Sequence, residues 1–364
     1  MDSFAFIIHP IDPKRDVSRK YPTLGKYLTE GQINFFSTFF PPVYISEIEG
    51  IRSTATGKQV KGWFIACPYT PKRMLELPVN TVYRKLIQTG HLVEELGAQI
   101  LGLGAFTSVV GDAGVTIARE LEIPVTTGDS YTVSIAVDSI RRAADIMDIP
   151  LSGATAAVVG ATGSIGRVCA ELLANDVGEL YLIGRRADAL EDLCTRLQPE
   201  ARARLRISTD MDDLRHAQVI LTVTSALHDI IRPEYLRPGS VICDVARPRD
   251  VSALVAAARD DILVIDGGMV DVPGPVDFHF DFGFPPGKSY ACMAETIALT
   301  LEGRFEDYTV GKSITRSQVE EITAIATKHG FHLGGFRSFE REVTEEQIEK
   351  VRQNARRAQA TRRN

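Results

Sequence analysis

A glycine-rich stretch after a short apolar run has the spacing of loops that bind phosphate groups. Thr155–Val159 is a β-branched and alanine run, which favours a buried parallel strand. The glycines after it allow a tight turn in which backbone N–H groups approach a pyrophosphate, and a helix beginning near Ser164 adds its positive end. Their spacing is G-x-x-G-x-x-G, a variant of the more usual G-x-G-x-x-G. The predicted binding residues are Gly160, Ala161, Thr162, Gly163, Ser164, Ile165 and Gly166.

Two arginines occupy the place where the ribose of a dinucleotide is expected. Leu180–Ile183 is predicted as the next strand, and the acidic residue that usually follows the glycines by about 20 positions is missing. Arg185 stands there instead, 19 residues after Gly166, with Arg186 behind it. Because a guanidinium group pairs with a phosphate as a planar fork, the two arginines predict NADPH as the cofactor. The alternative is a glycine-rich turn that binds no nucleotide.

Cys292 is the residue best placed for covalent chemistry. It follows a Pro-Gly stop, and if Ser289 caps the helix it is the third residue of the first turn. Unpaired backbone N–H groups, the positive end of the helix and Lys288 are then expected to favour the thiolate. A thiolate attacks thioesters and aldehydes, so Cys292 is predicted as a catalytic nucleophile. The alternative is a small buried hydrophobic residue, the usual role of a helical cysteine.

His279 lies in a segment where polar and aromatic residues alternate. On an extended chain, Asp277, His279 and Asp281 share one face, and the phenylalanines between them share the other. His279 is predicted as a catalytic general acid, and no metal site is assigned. The alternatives are a metal site made by the three polar residues and a solvated strand face.

A second aromatic segment, Ile33–Pro42, holds four phenylalanines within six residues. Such a segment suits the lining of an acyl tunnel or contact with a membrane surface. Burial in the core is the more common fate of such a cluster and is the expectation here.

The composition of the chain limits the classes of protein to which it can belong. The chain has 364 residues, of which 24% are charged and 44% apolar, and this predicts a soluble protein of two domains. A net charge of −6 argues against non-specific binding to nucleic acid. Five cysteines without a C-x-x-C pair suit a reducing compartment, and no apolar run approaches the length of a bilayer span. A cytoplasmic location is therefore predicted.

Alternating strands and helices in the middle of the chain predict a Rossmann-type, doubly wound parallel sheet. The predicted strands are 155–159, 180–183, 219–223, 241–246 and 262–266. Ligands of such sheets bind beyond the carboxyl ends of the strands. The loops that hold Thr224 with Ser225, and Gly267 with Gly268, are therefore predicted to contact the cofactor.

The predicted division of the chain has four parts. Residues 1–149 form an α/β substrate domain that ends in a linking helix at 130–149, and 150–287 form the NADPH-binding domain. Helices in 288–340 return to complete the substrate domain, and 341–364 form a basic tail. A frayed, solvated tail is expected, and the alternative is a contact for an acidic carrier protein.

Several segments together resemble the long-chain acyl-[acyl carrier protein] reductases best known from cyanobacteria. The matching stretches are Asp16–Arg19, Ser53–Lys58, Gly104–Val110, Thr126–Thr132, Val158–Gly166, Tyr290–Glu295 and Lys328–Phe331. They follow the order of the family from about residue 15 to residue 333. The loop at 271–287 and the tail after 338 depart from that pattern.

The resemblance implies reduction of a fatty acyl thioester to a fatty aldehyde by NADPH, through an acyl group carried on Cys292. It implies acyl carrier protein or acyl-CoA as the donor and allows a downstream enzyme that consumes the aldehyde. The alternative is an NADP-dependent dehydrogenase that transfers hydride directly to a small carbonyl or amino-acid substrate. Tyr308 and Lys312 have the Tyr-x-x-x-Lys spacing that one such class uses. A non-catalytic protein that senses NADPH is a further alternative.

Overall fold

The computed structural model describes residues 1–226 and 228–363, without the side chains of residues 362 and 363. The α-helices are α1 (Pro13–Lys20), α2 (Pro22–Tyr27), α3 (Glu30–Phe36), α4 (Pro71–Glu76), α5 (Val79–Glu95), α6 (Phe106–Val109), α7 (Val115–Glu120), α8 (Asp129–Ile146), α9 (Ser164–Leu173), α10 (Ala187–Leu197), α11 (Ala253–Ala258), α12 (Ala291–Glu302), α13 (Arg316–His329) and α14 (Glu345–Arg363).

The strands alternate with these helices along the chain. They are β1 (Asp2–Ile8), β2 (Val43–Arg52), β3 (Gln59–Ala66), β4 (Leu101–Gly102), β5 (Val125–Thr126), β6 (Thr155–Val159), β7 (Glu179–Ile183), β8 (Arg204–Ser208), β9 (Val219–Thr222), β10 (Val241–Asp244), β11 (Leu263–Asp266), β12 (Val270–Asp271), β13 (Lys288–Ser289), β14 (His332–Leu333), β15 (Arg337–Ser338) and β16 (Arg341–Glu342).

The chain divides into two compact units. Unit 1 contains 1–131, 270–313 and 318–332, and unit 2 contains 132–269, 314–317 and 333–364. This division differs from the predicted one at four places. The linking helix passes into unit 2 at Thr132, and the segment after Met269 belongs to unit 1. Residues 314–317 and the C-terminal stretch from residue 333 belong to unit 2.

Unit 1 is built on a sheet with the strand order β2-β3-β1-β4-β5. Strands β3, β1, β4 and β5 are parallel, and β2 runs antiparallel to β3 at the edge. Helix α12 lies against this sheet, because a Cβ built on Gly102 of β4 would lie 2.2 Å from Thr296 Oγ1. The sheet therefore fixes the helix whose first turn holds Cys292.

The aromatic segment of unit 1 is exposed. Phe35, Phe36, Phe39 and Phe40 are 54%, 42%, 70% and 47% exposed, whereas Ile33 is buried. The expectation of a core cluster is wrong, because α3 turns Ile33 inwards and leaves the rings to pack edge-on against one another.

Unit 2 confirms the predicted Rossmann-type sheet. All neighbouring strands of this six-stranded sheet are parallel, in the order β11-β10-β9-β6-β7-β8, with Val158 of β6 opposite Leu221 of β9. The strand order reverses between β6 and β9, which is where nucleotides bind in such sheets. Among the described residues, no helix combines the length and apolar character needed to cross a bilayer.

The predicted frayed tail is wrong over its described part, which forms α14. Ile348 and Ala355 are buried on one face of this helix. Arg356 lies 3.1 Å from Asp148, and Gln359 donates to the carbonyl of Pro238 at 3.0 Å. The spacing of the two buried residues is that of an amphipathic helix, which the run of basic residues obscured. The side chains of Arg362 and Arg363, and the whole of Asn364, lie outside the described residues.

Candidate functional site

The glycine loop of unit 2 forms a tight turn at the carboxyl end of β6. Gly160 adopts a φ of +81°, which favours glycine. The backbone N–H groups of Gly160 and Ala161 donate to the carbonyl of Ile183 at 2.9 and 3.1 Å, which ties the loop to β7. A Cβ built on Gly166 would lie 2.2 Å from the carbonyl oxygen of Gly160, so the first turn of α9 needs glycine there.

The start of α9 suits an anionic ligand. Gly163 is its N-cap and has no side chain that could accept a hydrogen bond. The first backbone N–H groups of the helix, at Ser164, Ile165 and Gly166, are therefore available to donate to a ligand. Thr162 and Gly163 are exposed. The glycine loop and the uncapped N-terminus of α9 together fit a pyrophosphate group.

Both predicted arginines are exposed beyond the end of β7. Arg186 is the N-cap of α10, and its Nε lies 3.7 Å from a carboxylate oxygen of Asp188. Arg185 has no ion-pair or hydrogen-bond partner among the described residues. Its guanidinium group therefore remains available for an anionic ligand.

The other two predicted cofactor loops are occupied by contacts within unit 2. Thr224 donates through its backbone N–H (3.0 Å) and its hydroxyl (2.5 Å) to Asp250, while Ser225 is exposed. A Cβ built on Gly268 would lie 2.3 Å from Ser139 Oγ of α8, and one on Gly267 would lie 3.3 Å from the Cα of Val245. Packing against α8 and the loop after β10 thus explains these two glycines without a ligand.

Cys292 of unit 1 is the second residue of α12, whose N-cap is Tyr290 rather than the expected Ser289. Two glycines make room for it. A Cβ built on Gly128 would lie 2.3 Å from the Cβ of Cys292, and one on Gly104 would lie 3.6 Å from its Sγ. Cys292 keeps partial exposure, whereas Cys67, Cys169 and Cys243 are buried. The thiol thus lies in a confined niche made by two loops of unit 1.

The expectation of a resting thiolate at Cys292 is wrong. Burial, with the negative charges of Asp129 and Glu295, raises the pKa of the Cys292 thiol to about 12, although the N–H group of Met293 acts in the other direction. Lys288 does not supply the expected compensation, since its Nζ lies 2.6 Å from Asp271. The resting group is therefore a thiol, and its reaction with an electrophile requires a proton acceptor.

Glu295, one turn beyond Cys292, is a buried acidic residue that holds several segments together through hydrogen bonds. It was missing from the predicted site. Its carboxylate accepts from Ser130 Oγ at 2.6 Å, the backbone N–H of Tyr131 at 2.8 Å, Thr309 Oγ1 at 3.0 Å and Thr126 Oγ1. Burial nevertheless raises the pKa of Glu295. The hydroxyl groups of Thr126 and Ser130 are therefore engaged by Glu295. An acidic residue in the middle of a helix that is mostly apolar was the available signal.

His279 is placed on a turn rather than on an extended strand. Its φ is +48°, its side chain is 48% exposed, and its ring nitrogens lie 3.3 Å from Asp277 and 3.5 Å from Glu49. Phe278 is buried and stacks on Phe64. Within residues 1–226 and 228–363, no three His, Cys, Asp or Glu side chains converge as a metal site requires.

Tyr308 is unsuited to the Tyr-x-x-x-Lys chemistry. It is buried, and its hydroxyl lies within hydrogen-bonding distance of two acceptors, the carbonyl oxygen of Gln318 (2.9 Å) and the carboxylate of Glu321 (3.0 Å), which share its one hydrogen. Burial and the charge of Glu321 raise the pKa of Tyr308 far above its ordinary value. The group is a structural donor that cannot readily ionise.

Comparison with known proteins gives one family match. The model of the shikimate / quinate 5-dehydrogenase family matches residues 141–266, which lie within unit 2. That stretch includes the glycine loop and both arginines.

Two relatives extend over most of the chain. The long-chain acyl-[acyl-carrier-protein] reductase of Synechococcus elongatus is 29% identical over 336 residues, which cover 88% of this chain and 95% of that protein. The aminotransferase PigE of a Serratia species is 34% identical over 282 residues, 77% of this chain, but the chain spans only 33% of PigE. Among solved structures, L-tryptophan dehydrogenase from Nostoc punctiforme matches with a TM-score of 0.43 and 12% identity, covering 99% of this chain and 89% of that one.

The sheet, the glycine loop and the sequence matches support an oxidoreductase that uses a nicotinamide dinucleotide. The family match covers the nucleotide part only, so it leaves the substrate open.

Proposed function

We propose that the protein reduces a fatty acyl thioester to a fatty aldehyde with NADPH, through an acyl group carried on Cys292. The observation that carries the proposal is the position of the partly exposed residue Cys292 at the start of α12, in a niche made by Gly104 and Gly128. The similarity to the Synechococcus reductase over nearly its whole length supports the same reaction. Acyl carrier protein or acyl-CoA is the proposed donor, and an aldehyde-consuming enzyme is a possible acceptor of the product.

The chain's own residues account for the first half of this reaction. Sγ of Cys292 attacks the acyl carbon, a bond forms between them, and the thiol of the donor leaves. Because Gly104 and Gly128 have no side chains, they leave room around the sulfur. Glu295 is hydrogen-bonded to Thr126 at the end of β5 and to Ser130 at the start of α8, and so fixes the segments on either side of Gly128. His279 remains a proposed general acid, and its half-exposed ring is oriented by Asp277 and Glu49.

The glycine loop and Arg185 are the proposed NADPH site. The uncapped start of α9 would hold the pyrophosphate, and the exposed guanidinium group would pair with the 2′-phosphate. When bound, NADPH would supply a hydride to the carbonyl carbon of the acyl group. The bond from this carbon to Sγ of Cys292 then breaks, the aldehyde leaves, and Cys292 regains its proton as a thiol.

The test is incubation of the full chain with NADPH and palmitoyl-CoA or palmitoyl-acyl carrier protein, with products identified by mass spectrometry. Hexadecanal is the expected product. In parallel, protein mixed with each thioester without NADPH should gain the mass of one acyl group. Neither aldehyde nor acyl-protein with either donor would refute the proposal.

A dehydrogenase that transfers hydride directly to a small substrate is the second candidate. The match of residues 141–266 to the shikimate / quinate 5-dehydrogenase model favours it. Such an enzyme would need no cysteine, so Cys292→Ala should leave it fully active on a small carbonyl compound. The two candidates therefore make opposite predictions for one variant.

Arg185→Ala is expected to weaken NADPH binding about 10- to 100-fold and to leave NADH binding unchanged, because one charge-assisted contact to the 2′-phosphate is lost. Nicotinamide fluorescence titration measures both dissociation constants without any acyl substrate. Arg204→Ala is the matched control, since Arg204 is an exposed arginine of β8 next to Glu179. Equal weakening of both cofactors would exclude Arg185 as the selective contact.

A further inference from the structure

Asp129, the first residue of α8, is a buried carboxyl group without a partner. It is 5% exposed. Its backbone N–H donates to Thr127 Oγ1 at 3.4 Å, but among the described residues no donor or cation pairs with its carboxylate. Burial of an unpaired carboxyl group is costly to the fold. Groups of this kind cluster at functional sites.

Asp129 follows a residue that packs against the proposed nucleophile. This preceding residue, Gly128, lies so close to Cys292 that a Cβ built on it would lie 2.4 Å from the Cα of Cys292. After burial, the negative charge of Asp129 is the next cause that raises the pKa of the Cys292 thiol. The start of α8 and the start of α12 therefore bring one carboxyl group and one thiol together within unit 1.

The second carboxyl group nearby is unsuited to proton transfer. Glu295 accepts four hydrogen bonds, from Thr126, Ser130, Tyr131 and Thr309. A proton on either oxygen of Glu295 would compete with a donor that already occupies that oxygen, whereas a proton on Asp129 meets no such donor among the described residues. The contrast separates a structural acid from a reactive one.

We propose that the carboxylate of Asp129 takes the proton of the Cys292 thiol during acyl transfer and returns it to the departing thiol of the donor. This inference rests on the proposed function. The bond between Sγ and the acyl carbon forms while the S–H bond breaks and the proton moves to Asp129. The bond from the acyl carbon to the donor sulfur then breaks, and that sulfur receives the proton. Asp129 ends as a carboxylate, and no electrons are gained or lost.

The electrostatics of the niche support this role. Burial and the charge of Glu295 raise the pKa of Asp129 well above its ordinary value, which makes its carboxylate a stronger base. Because the same surroundings keep Cys292 protonated, sulfur attack and proton removal have to be coupled. The charge of Glu295 acts on Asp129, and the charges of Asp129 and Glu295 act on Cys292.

The test is a rapid-quench measurement of acylation by palmitoyl-CoA, with the full chain and without NADPH. Asp129→Asn is expected to slow acylation about 100-fold, and Asp129→Glu to recover part of the rate. The melting temperature of Asp129→Asn should equal or exceed that of the wild type, because the substitution removes an unpaired buried charge. A purely structural role would lower stability and rate together.

The wild-type protein gives a second test that needs no variant. Its acylation rate should rise with pH through the titration of the carboxyl group and level off well below the pKa of about 12 of the thiol. A rate that climbs without a plateau, or wild-type acylation by Asp129→Asn, overturns the role of Asp129. A wild type that is never acylated refutes the proposed function itself, so the two failures are distinguishable.

Discussion

Cys292→Ala is expected to lower aldehyde formation from palmitoyl-CoA by about 10⁴-fold or more and to abolish the acyl-protein adduct. The covalent route disappears when the nucleophile is removed, and a loss of this size is usual for nucleophiles of acyl transfer. Alanine fits at the second position of α12, because it removes one sulfur atom and is a good helix former. The measurements are the rate of NADPH oxidation and the intact mass of the protein after exposure to the thioester.

Cys194→Ser is the matched control. Cys194 of α10 is the other partly exposed cysteine among the described residues, and it lies in unit 2. It should retain both the adduct and the activity of the wild type. If the Cys292→Ala variant oxidises NADPH at more than a tenth of the wild-type rate, the result would favour direct hydride transfer.

The nucleotide-binding part was predictable because its signals are local. Strand β6, the glycine loop and α9 are consecutive in the chain, and each follows from the residues that form it. Strand β8 went unpredicted because Arg204 and Arg206 alternate with apolar residues on a largely exposed strand at the end of the sheet. Half-polar edge strands carry little hydrophobic signal.

The state of Cys292 could not be predicted from its neighbours in sequence. A helix N-terminus and an adjacent lysine favour ionisation, and both are present. Burial is the largest cause that opposes ionisation, and the next is the charge of Asp129, which lies over 160 positions earlier in the chain. Lys288 is engaged with Asp271, a pairing that depends on β12 meeting β13. The local sequence pattern was enough to find Cys292, but the pKa of its thiol depends on contacts with residues that are distant in the chain.

A cluster of charges at the ends of the strands of unit 2 also depends on distant contacts. Asp266, the last residue of β11, is 4% exposed and accepts from Arg249 at 3.1 and 3.2 Å and from Arg337 at 3.2 Å. Arg247 approaches it at 3.7 Å. Arg337 is itself 1% exposed, so this carboxylate compensates a fully buried guanidinium group.

Asp266→Asn is expected to destabilise the protein by about 3–5 kcal/mol, because it breaks the buried ion pair between the Asp266 carboxylate and the guanidinium group of Arg337. Urea unfolding of unit 2 at pH 7, followed by circular dichroism, measures the change. Asp145→Asn is the control, since Asp145 pairs with Arg142 at 4.0 Å on the surface and is 79% exposed. That substitution should cost less than about 1 kcal/mol.

The carboxylate of Asp266 should make the free energy of unfolding of unit 2 fall as the pH is lowered. The arginines lower the pKa of Asp266 to about 2 although burial opposes them, so the folded state holds the ionised form more strongly than the unfolded state does. Its contribution, about 2 kcal/mol, is present above the ordinary carboxyl pKa of about 4 and disappears as the pH falls towards 2. About half of it should be lost at pH 3, and Asp266→Asn should lack that loss. Parallel pH profiles for wild type and variant would show that Arg337 is compensated by another group and that the Asp266 carboxylate does not stabilise this edge of the sheet.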